Sequence, residues 1–185
     1  KDKKLSNTLS EKFKDNIKIF NEDFLKINDN KLNYKNIKVF GNLPYNVSTQ
    51  ILTKLIKLSS KIDIKLMILM FQKEVADRIL AQVNTRDYGR LAIISQWKMN
   101  IKKIRNINPQ SFFPSPKIVS TLLEFKPKKQ HFKFRKVENL EHVTRVIFNT
   151  KRKMIKKPIK VLFKNNNKIF EKLKIDPNIR PQKIS

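Results

Sequence analysis

The sequence predicts an α/β fold followed by a small all-α region. Short apolar runs alternate with helical patterns up to about residue 100, which is typical of parallel strands joined by right-handed crossover helices. The run 66–71 is continuously apolar, as expected of a central strand that is buried on both faces. A polar, basic segment follows at 126–134, and the pattern beyond it is helical. We therefore expect an α/β domain over residues 1–128 and a helical domain over residues 129–185.

The first elements alternate between helix and strand. Apolar residues at four-residue spacing predict an amphipathic helix over 2–13. Short apolar runs predict strands at 17–20 and 37–40. Ser48 is a favourable capping residue and predicts a helix that continues to about residue 58. Its inward-facing positions are expected to be Ile51, Leu52, Leu55 and Ile56.

The later elements follow from the same two periodicities. After the central strand, the spacing of apolar residues predicts two helices, then two strands, and then three further helices. A stiff, proline-rich connector at 108–117 separates the two strands. The predicted helices cover 73–82, 90–97, 140–149, 155–163 and 166–173, and the predicted strands cover 101–107 and 118–125.

The chain is strongly basic. Its 185 residues include 42 Lys and Arg against 15 Asp and Glu, which gives a formal net charge of +27. Such an excess repels itself unless an anion neutralises it, so RNA or DNA is the natural partner. The abundance of Lys, Asn and Ile is also typical of a genome-wide coding bias, which raises the lysine count without any partner. The concentration of charge at 151–157 favours both causes acting together.

Residue types that are rare or missing exclude several classes of protein. With no cysteine, the chain has no disulfide, no cysteine-based zinc site and no thiol catalysis, and its two histidines assemble no metal site. The two glycines, Gly41 and Gly89, are too far apart to form a glycine-rich cofactor loop. No apolar run reaches about 18 residues, and no signal-peptide pattern opens the chain. We expect a cytoplasmic protein that makes no membrane contact.

The most informative segment is the loop predicted directly after the strand at 37–40. Pro44 fixes its own φ and pushes Leu43 toward an extended conformation, so the loop leaves the strand stiffly. Asn42 offers an amide oxygen and Leu43 a backbone carbonyl, and together they can accept both protons of an exocyclic amine. These bonds localise the lone pair of a nitrogen that is otherwise a poor nucleophile. Tyr45, and Phe112 in the connector, can stack on a base turned out of its helix. The alternative interpretation is a tight turn with a buried tyrosine.

Two further residues are candidates for binding a cofactor. Asp23 follows the predicted strand at 17–20, and carboxylates at that end of a parallel strand face the ligand crevice. It can accept a hydrogen bond from the amino group of an adenine, with Phe24 against the adenine ring. The alternative interpretation is a helix cap or a solvated acid in a turn.

Basic residues near both ends of the predicted helices are candidates for RNA contacts. Arg90 opens a predicted helix and can contact a phosphate. The cluster at 151–157 is a plausible phosphate clamp, with a solvated helix face as the alternative. The charges at 72–78 are expected to pair locally. The RNA-binding candidates are Arg90, Lys151, Arg152, Lys153, Lys156 and Lys157.

Five segments together point to one family. They are 40–49, which contains Asn42-Leu43-Pro44-Tyr45, then 70–78, 88–91, 111–117 and 148–153. Their order and their amino-acid sequences resemble the motifs of the KsgA (RsmA) family, the small-subunit rRNA adenine dimethyltransferases. The resemblance covers essentially the whole chain. It is highly specific because several motifs occur in the family's order, whereas none would suffice alone.

The resemblance implies a class I, Rossmann-like methyltransferase sheet with a small helical C-terminal domain. The cofactor would be S-adenosylmethionine, and no metal is implied. The substrate would be two adjacent adenosines near the 3′ end of small-subunit (16S) rRNA, and we expect a monomer. By position, Asp23 corresponds to the acid that binds the cofactor adenine, and Asn42 lies near both cofactor and target. Tyr45 and Phe112 correspond to the aromatic residues that stack on the base.

One departure from the family pattern concerns the start of the chain. The family's glycine-rich cofactor loop and its ribose-binding acid would precede Lys1, so we expect an N-terminally truncated fragment whose sheet lacks its first strands. Such a fragment is expected to bind cofactor weakly and to be inactive on its own.

Three other functions share part of the pattern. An Erm-type dimethyltransferase would use the same chemistry on large-subunit rRNA. A non-catalytic ribosome-assembly factor would bind RNA without transfer, although the intact Asn42-Leu43-Pro44-Tyr45 loop argues against it. A DNA adenine methyltransferase usually has an acidic first residue in this loop, and this chain has Asn42 there.

Overall fold

The computed structural model describes residues 2–32, 34–163 and 166–184. The chain divides into two compact units, Lys1–Tyr34 and Lys35–Ser185, and each is described by itself.

The first unit begins with helix α1, Lys3–Phe13, as the sequence predicts. Asp2 caps it, because its carboxylate accepts a hydrogen bond from the backbone N–H of Leu5 at 3.0 Å. The prediction of a strand at 17–20 is wrong. Ile17 has an extended backbone (φ −135°, ψ 149°), but no residue of 17–20 joins a ladder with another described segment. An apolar run favours extended backbone, whereas a strand also needs a neighbour to pair with.

The described part of the second unit contains a four-stranded sheet and six α-helices. The strands lie in the order β1-β2-β4-β3, with β1 parallel to β2 and with β4 antiparallel to both of its neighbours. Parallel pairing is thus confirmed for the two strands that a crossover helix joins. The strands are β1 Ile37–Asn42, β2 Ile64–Gln72, β3 Met99–Ile107 and β4 Ser120–Pro127, and the helices are α2 Ser48–Leu58, α3 Lys73–Leu80, α4 Arg90–Lys98, α5 Val137–Phe148, α6 Lys156–Leu162 and α7 Asn166–Leu173.

The core of this unit lies around β2. Met67, Leu69 and Phe71 are completely buried, which confirms the prediction of a central strand. The four inward positions predicted for α2 are also buried. The capping role predicted for Ser48 is wrong, because Ser48 is already helical and its hydroxyl donates to the carbonyl of Tyr45 at 3.0 Å.

The C-terminal helices belong to the same compact unit as the sheet. Helix α5 packs against α4, and α6 and α7 share a small apolar cluster made by Ile155, Ile159 and Phe170. The boundary near residue 128 therefore falls inside this unit, and a separate domain over 129–185 stays a prediction. In the described ranges, no helix is both long and apolar enough to cross a membrane.

The loop after β1 and the connector between β3 and β4 lie at the same end of the sheet. Asn42 ends β1 opposite Met70, and Gln72 ends β2 opposite Ser120, the first residue of β4. Ser120 also pairs with Ile107, the last residue of β3. We call this end the carboxyl edge, because both parallel strands finish there. Ligands of open α/β sheets bind at this edge.

Candidate active site and basic cleft

Asn42 and Leu43 are placed by the end of strand β1. The strand continues through Gly41 and Asn42, two residues beyond its predicted end. Gly41 is needed for close approach, since a Cβ there would lie 2.9 Å from a methyl carbon of Leu43 and 2.9 Å from one of Leu69. Leu69 is completely buried and has little room to move. The missing side chain thus lets Leu43 pack back over the sheet and directs the backbone that follows.

Two hydrogen-bond acceptors stand at this point of the carboxyl edge. The side chain of Asn42 is exposed and Leu43 is half-buried. Within the described ranges, neither the Asn42 amide oxygen nor the Leu43 carbonyl accepts a hydrogen bond. Both acceptors are therefore available to an incoming amine, as the sequence predicts.

Tyr45 is held firmly by contacts on both sides of the loop. Its hydroxyl lies 2.6 Å from Oγ of Ser120, which is completely buried. The turn before α2 is closed by the N–H of Val47, which donates to the carbonyl of Pro44 at 3.2 Å. Pro44 itself is exposed. The tyrosine ring is thus fixed at the carboxyl edge and is not buried in the core, which is the placement that base stacking requires.

Phe112 lies on the connector that leaves β3 and returns to β4. The connector starts and ends at the pair formed by Ile107 and Ser120, so it is anchored beside the hydroxyl that binds Tyr45. Phe112 is half-buried, whereas the next residue, Phe113, is fully exposed. The structure thus brings the two predicted stacking residues to one edge of the sheet. Ser120, which binds Tyr45, was missed because nothing in its local sequence marks a contact with a residue 75 positions away.

Asp23 and Phe24 lie in the first unit, in a turn. One carboxylate oxygen of Asp23 accepts from the N–H of Leu25 at 3.0 Å, and the Asp23 carbonyl accepts from Ile27 at 3.0 Å. The carboxylate therefore stabilises a turn, which is the alternative interpretation of this residue. Its orientation is fixed by these bonds. Asp23 and Phe24 are both half-buried, so their assignment to a cofactor stays a prediction.

A cleft of about 840 Å³ in the second unit gathers many cations, and we call it the basic cleft. Arg90, at the start of α4, lines it together with Lys151 and Arg152, which follow α5. Three further arginines complete its cations, and only the first of them, in the charged segment 72–78, is singled out by the sequence. They are Arg78, Arg86 and Arg145. In so basic a chain, a single arginine does not indicate a binding site in the sequence, and only the fold shows which arginines lie together.

Lys151 is the most constrained cation of the basic cleft. Burial lowers its pKa below the ordinary lysine value, and the nearby charge of Arg78 lowers it further, while Asp87 acts in the opposite direction. Its Nζ would lie 2.9 Å from a Cβ added at Gly89. The absence of a side chain at Gly89 therefore leaves space for the Lys151 ammonium. A phosphate bound here would reduce the electrostatic repulsion among these cations.

The basic residues of the predicted cluster at 151–157 line three depressions. Lys153 and Lys157 line a second depression, and Lys156 lines a third one beside α7. Lys156 and Lys157 line different depressions because they are adjacent at the start of α6, where successive side chains point in different directions. A phosphate clamp made by the cluster, and RNA contacts by these three lysines, stay predictions.

The charges predicted to pair locally do so on α3. Lys73 Nζ lies 2.6 Å from the carboxylate of Asp77, and Arg78 is paired with Glu74. Both pairs span one helical turn and are exposed, so they order side chains without adding much stability. The pair with Glu74 holds Arg78 at the rim of the basic cleft.

Known proteins match this arrangement over the whole chain. The family model described as "Ribosomal RNA adenine dimethylase" matches residues 1–185. A protein named "Ribosomal RNA small subunit methyltransferase A" from Pelagibacter ubique is 49% identical over 185 residues, which is 100% of this chain and 71% of that protein. The protein of the same name from Buchnera aphidicola subsp. Baizongia pistaciae is 38% identical over 175 residues, which is 92% of this chain and 65% of that protein.

Solved structures agree with the sequence comparison. A dimethyladenosine transferase from Plasmodium falciparum superposes with a TM-score of 0.80 at 25% identity and covers 100% of this chain and 75% of that one. The 23S rRNA methyltransferase ErmE superposes with a TM-score of 0.63 at 18% identity over 98% of this chain and 75% of that one, and this likeness concerns the fold alone. With the family model matching every residue, the chain belongs to the ribosomal RNA adenine dimethylase family.

Proposed function

We propose that the protein is an S-adenosylmethionine-dependent rRNA adenine N6,N6-dimethyltransferase. Its proposed substrate is the pair of adjacent adenosines near the 3′ end of small-subunit rRNA. The observation that carries the proposal is the carboxyl edge itself, where the acceptors of Asn42 and Leu43 stand beside a tyrosine that is locked onto Ser120. The names of the two relatives favour the small subunit as substrate.

The residues of the loop would activate the adenine without a covalent intermediate. The Asn42 amide oxygen and the Leu43 carbonyl accept the two N–H bonds of the exocyclic amine and localise the nitrogen lone pair. Tyr45 and Phe112 provide flat surfaces for the extruded base and hold the nitrogen in line for transfer. Catalysis then consists of positioning and electrostatic stabilisation. Pro44 keeps both acceptors rigid between strand and turn.

The residues proposed for the cofactor have suitable chemistry. A bound S-adenosylmethionine supplies an electrophilic methyl group. The Asp23 carboxylate, oriented by the Leu25 N–H, can accept from the amino group of the cofactor adenine. Phe24 offers a ring for its base, and Asn42 is proposed to face both cofactor and target. No metal is needed for this chemistry.

The basic cleft is the proposed site for the rRNA backbone. Its six cations exceed its two acids, Glu74 and Asp87, and Glu74 already pairs with Arg78. Phosphate contacts of this kind position a nucleic acid without reading its sequence. A substrate in the small ribosomal subunit makes the cytoplasm the proposed place of action, and we propose that the protein acts as a monomer.

The test is transfer to a defined substrate. The protein, with any upstream coding sequence restored, is incubated with unmethylated small subunits and tritiated S-adenosylmethionine, and the RNA is digested to nucleosides. We expect label in N6,N6-dimethyladenosine near the 3′ end. Label in naked large-subunit RNA instead would indicate an Erm-type enzyme. Tight binding to subunits without transfer would indicate an assembly factor.

A further inference from the structure

A cluster of aromatic side chains lies outside the site described so far. Trp97, near the end of α4, meets two rings of the segment that follows β4. The ring centroids of Trp97 and Phe134 are 5.2 Å apart, and those of Trp97 and His131 are 5.9 Å apart. Phe132 packs against Phe134 at 4.7 Å. We call these four residues the aromatic platform.

The backbone beneath the exposed ring of the platform is fixed. The indole N–H of Trp97 donates to the carbonyl of Phe132 at 2.6 Å. The N–H of Lys128 donates to the carbonyl of Lys98 at 2.8 Å, which ties the start of this segment to the end of α4. The Phe132 side chain nevertheless stays 69% exposed. A large ring held in water by ordered neighbours is preorganised for a ligand, because little entropy is lost when it binds.

The platform is surrounded by positive charge. Residues 126–136 include six cations and no acid. Among the described residues, one of these six cations forms an ion pair, Lys126 with Glu124 at 3.0 Å. The ammonium of Lys98 lies 4.5 Å from the centre of the Trp97 ring. The ligand of this surface is therefore expected to be anionic as well as flat. The other five cations are Lys128, Lys129, Lys133, Arg135 and Lys136.

The platform lies at the opposite end of the sheet from the carboxyl edge. Strand β4 starts at Ser120, which binds Tyr45, and ends at Pro127, just before the platform. Eight residues of strand at about 3.3 Å each separate the two ends by roughly 25 Å. The aromatic platform is therefore a separate site from the carboxyl edge.

We propose that the aromatic platform binds an unpaired base of single-stranded RNA, stacked on Phe132, with the flanking cations on the adjacent phosphates. Exposed rings interleaved with Lys and Arg are the usual means of binding single strands, since every base has a flat face. The proposal rests on the proposed function insofar as the partner is ribosomal RNA. An apolar protein partner is disfavoured, because the segment offers charge of one sign around one exposed ring.

The single tryptophan of the chain gives a direct test. Trp97 is the only tryptophan in the sequence, so its fluorescence reports on the platform. The protein is titrated with a single-stranded oligoadenylate of about twelve nucleotides, within the usual range of site sizes. The same titration is repeated with an RNA duplex of equal length and with polyphosphate. We expect saturable quenching by the single strand and weaker or no quenching by the other two.

Substitutions of Phe132 distinguish base stacking from nonspecific binding. Phe132→Ala and Phe132→Leu are expected to weaken the affinity seen by Trp97 by about five- to 150-fold, the loss of one stacked base. Phe132→Trp adds a second tryptophan, so its fluorescence no longer reports on Trp97 alone. The affinity of this variant is measured by competition with labelled RNA, and we expect it to be near that of the wild type. Phe163→Ala, another exposed phenylalanine, should bind like the wild type. Far-ultraviolet circular dichroism confirms that each variant is folded.

The outcomes separate this inference from the proposed function. If wild-type protein methylates small subunits but Trp97 does not respond to single strands, the platform inference is wrong and the proposed function stands. Weakened single-strand binding by Phe132→Ala in a protein that transfers no methyl group would support the platform alone. Tolerance of Phe132→Leu would overturn stacking in favour of an apolar contact. Equal quenching by polyphosphate would overturn it in favour of charge alone.

Discussion

At the scale of single residues, Asn42 and Leu43 are the groups that we propose to bind the target amine. The strand ends at Asn42, so a side-chain amide oxygen and the backbone carbonyl of the next residue stand at its carboxyl end, just before Pro44. Alanine at position 42 leaves the backbone carbonyl and the tyrosine in place. It removes one acceptor and little else.

Asn42→Ala is therefore expected to abolish transfer while leaving RNA affinity near that of the wild type. Loss of one preorganised electrostatic partner typically costs about 10²–10³ in rate. Transfer is measured under single-turnover conditions, and RNA affinity is measured by filter binding. Asn46→Ala, an exposed residue of the same turn, is the matched control and should transfer normally. Weakened RNA binding with normal turnover would contradict the role assigned to Asn42.

The bond between Tyr45 and Ser120 allows a double-mutant cycle. Tyr45→Phe keeps the ring but leaves the buried Ser120 hydroxyl without its partner, which should cost about 1–3 kcal/mol of unfolding free energy. With Ser120→Ala and the double variant, we expect a coupling energy of about 1 kcal/mol from denaturant unfolding. Transfer should fall with Tyr45→Phe, since the stacking ring is then loosely held.

A neighbouring hydrogen bond provides the control for this cycle. Thr121 Oγ1 donates to the Asn106 side chain at 3.0 Å, at the pair next to Ser120 on the same strands. Thr121→Val is expected to lower stability without lowering transfer by folded protein. If Tyr45→Phe and Thr121→Val affected transfer equally, the bond of Tyr45 would have only a structural role.

At the scale of elements, the sequence predicts correctly those helices and strands whose pattern depends only on residues that are close together in the chain. Along residues 66–71, strand β2 is completely buried on one face and at least half-buried on the other, so its apolar run is evident in the sequence, and α2 shows its inward positions by spacing alone. Residues 17–20 have the composition of a strand, but pairing depends on a partner elsewhere in the chain. Strand β1 runs two residues longer than predicted because β2 extends the ladder to Gly41 and Asn42.

The same reasoning explains which parts of the site could be predicted. The acceptors of Asn42 and Leu43 and the ring of Tyr45 are close together in the chain, so their chemistry was visible in the sequence. Ser120, and Arg86 and Arg145 of the basic cleft, come from distant segments and were not. Neighbours in sequence can also be misleading: Lys156 and Lys157 are adjacent at the start of α6 but line different depressions.

This separation makes a prediction about salt dependence. Lys151→Gln with Arg152→Gln should flatten the slope of log affinity for rRNA against log salt by about 0.7–0.9 for each phosphate that the protein no longer neutralises. The comparison variant, Lys156→Gln with Lys174→Gln, removes the same charge from the third depression and should change the slope less. An equal change would mean that the cluster contacts RNA on several sides. An unchanged slope in the first variant would remove the basic cleft from the interface.

At the scale of the whole molecule, the excess of 27 positive charges acts on stability as well as on binding. In the described part of the second unit, the cations of the basic cleft and those around the aromatic platform have few acidic partners of their own. Their mutual repulsion opposes folding wherever no anion is present. Burial is the main cause of the lowered pKa of Lys151, and the nearby charge of Arg78, which lowers that pKa further, is a local sign of this repulsion.

Salt is therefore expected to stabilise this protein. The Debye length falls from about 30 Å at 0.01 M to about 8 Å at 0.15 M, so distant repulsion is screened over that range. We expect the melting temperature to rise with sodium chloride, by about 2–4 °C for each kcal/mol of repulsion removed. A single-stranded RNA at matched ionic strength should raise it further, because it binds the folded state. A melting temperature that falls or stays constant with salt would show that local ion pairs outweigh the net charge. Stabilisation by RNA no greater than that by salt would argue that the lysine content reflects coding bias and not a polyanionic partner.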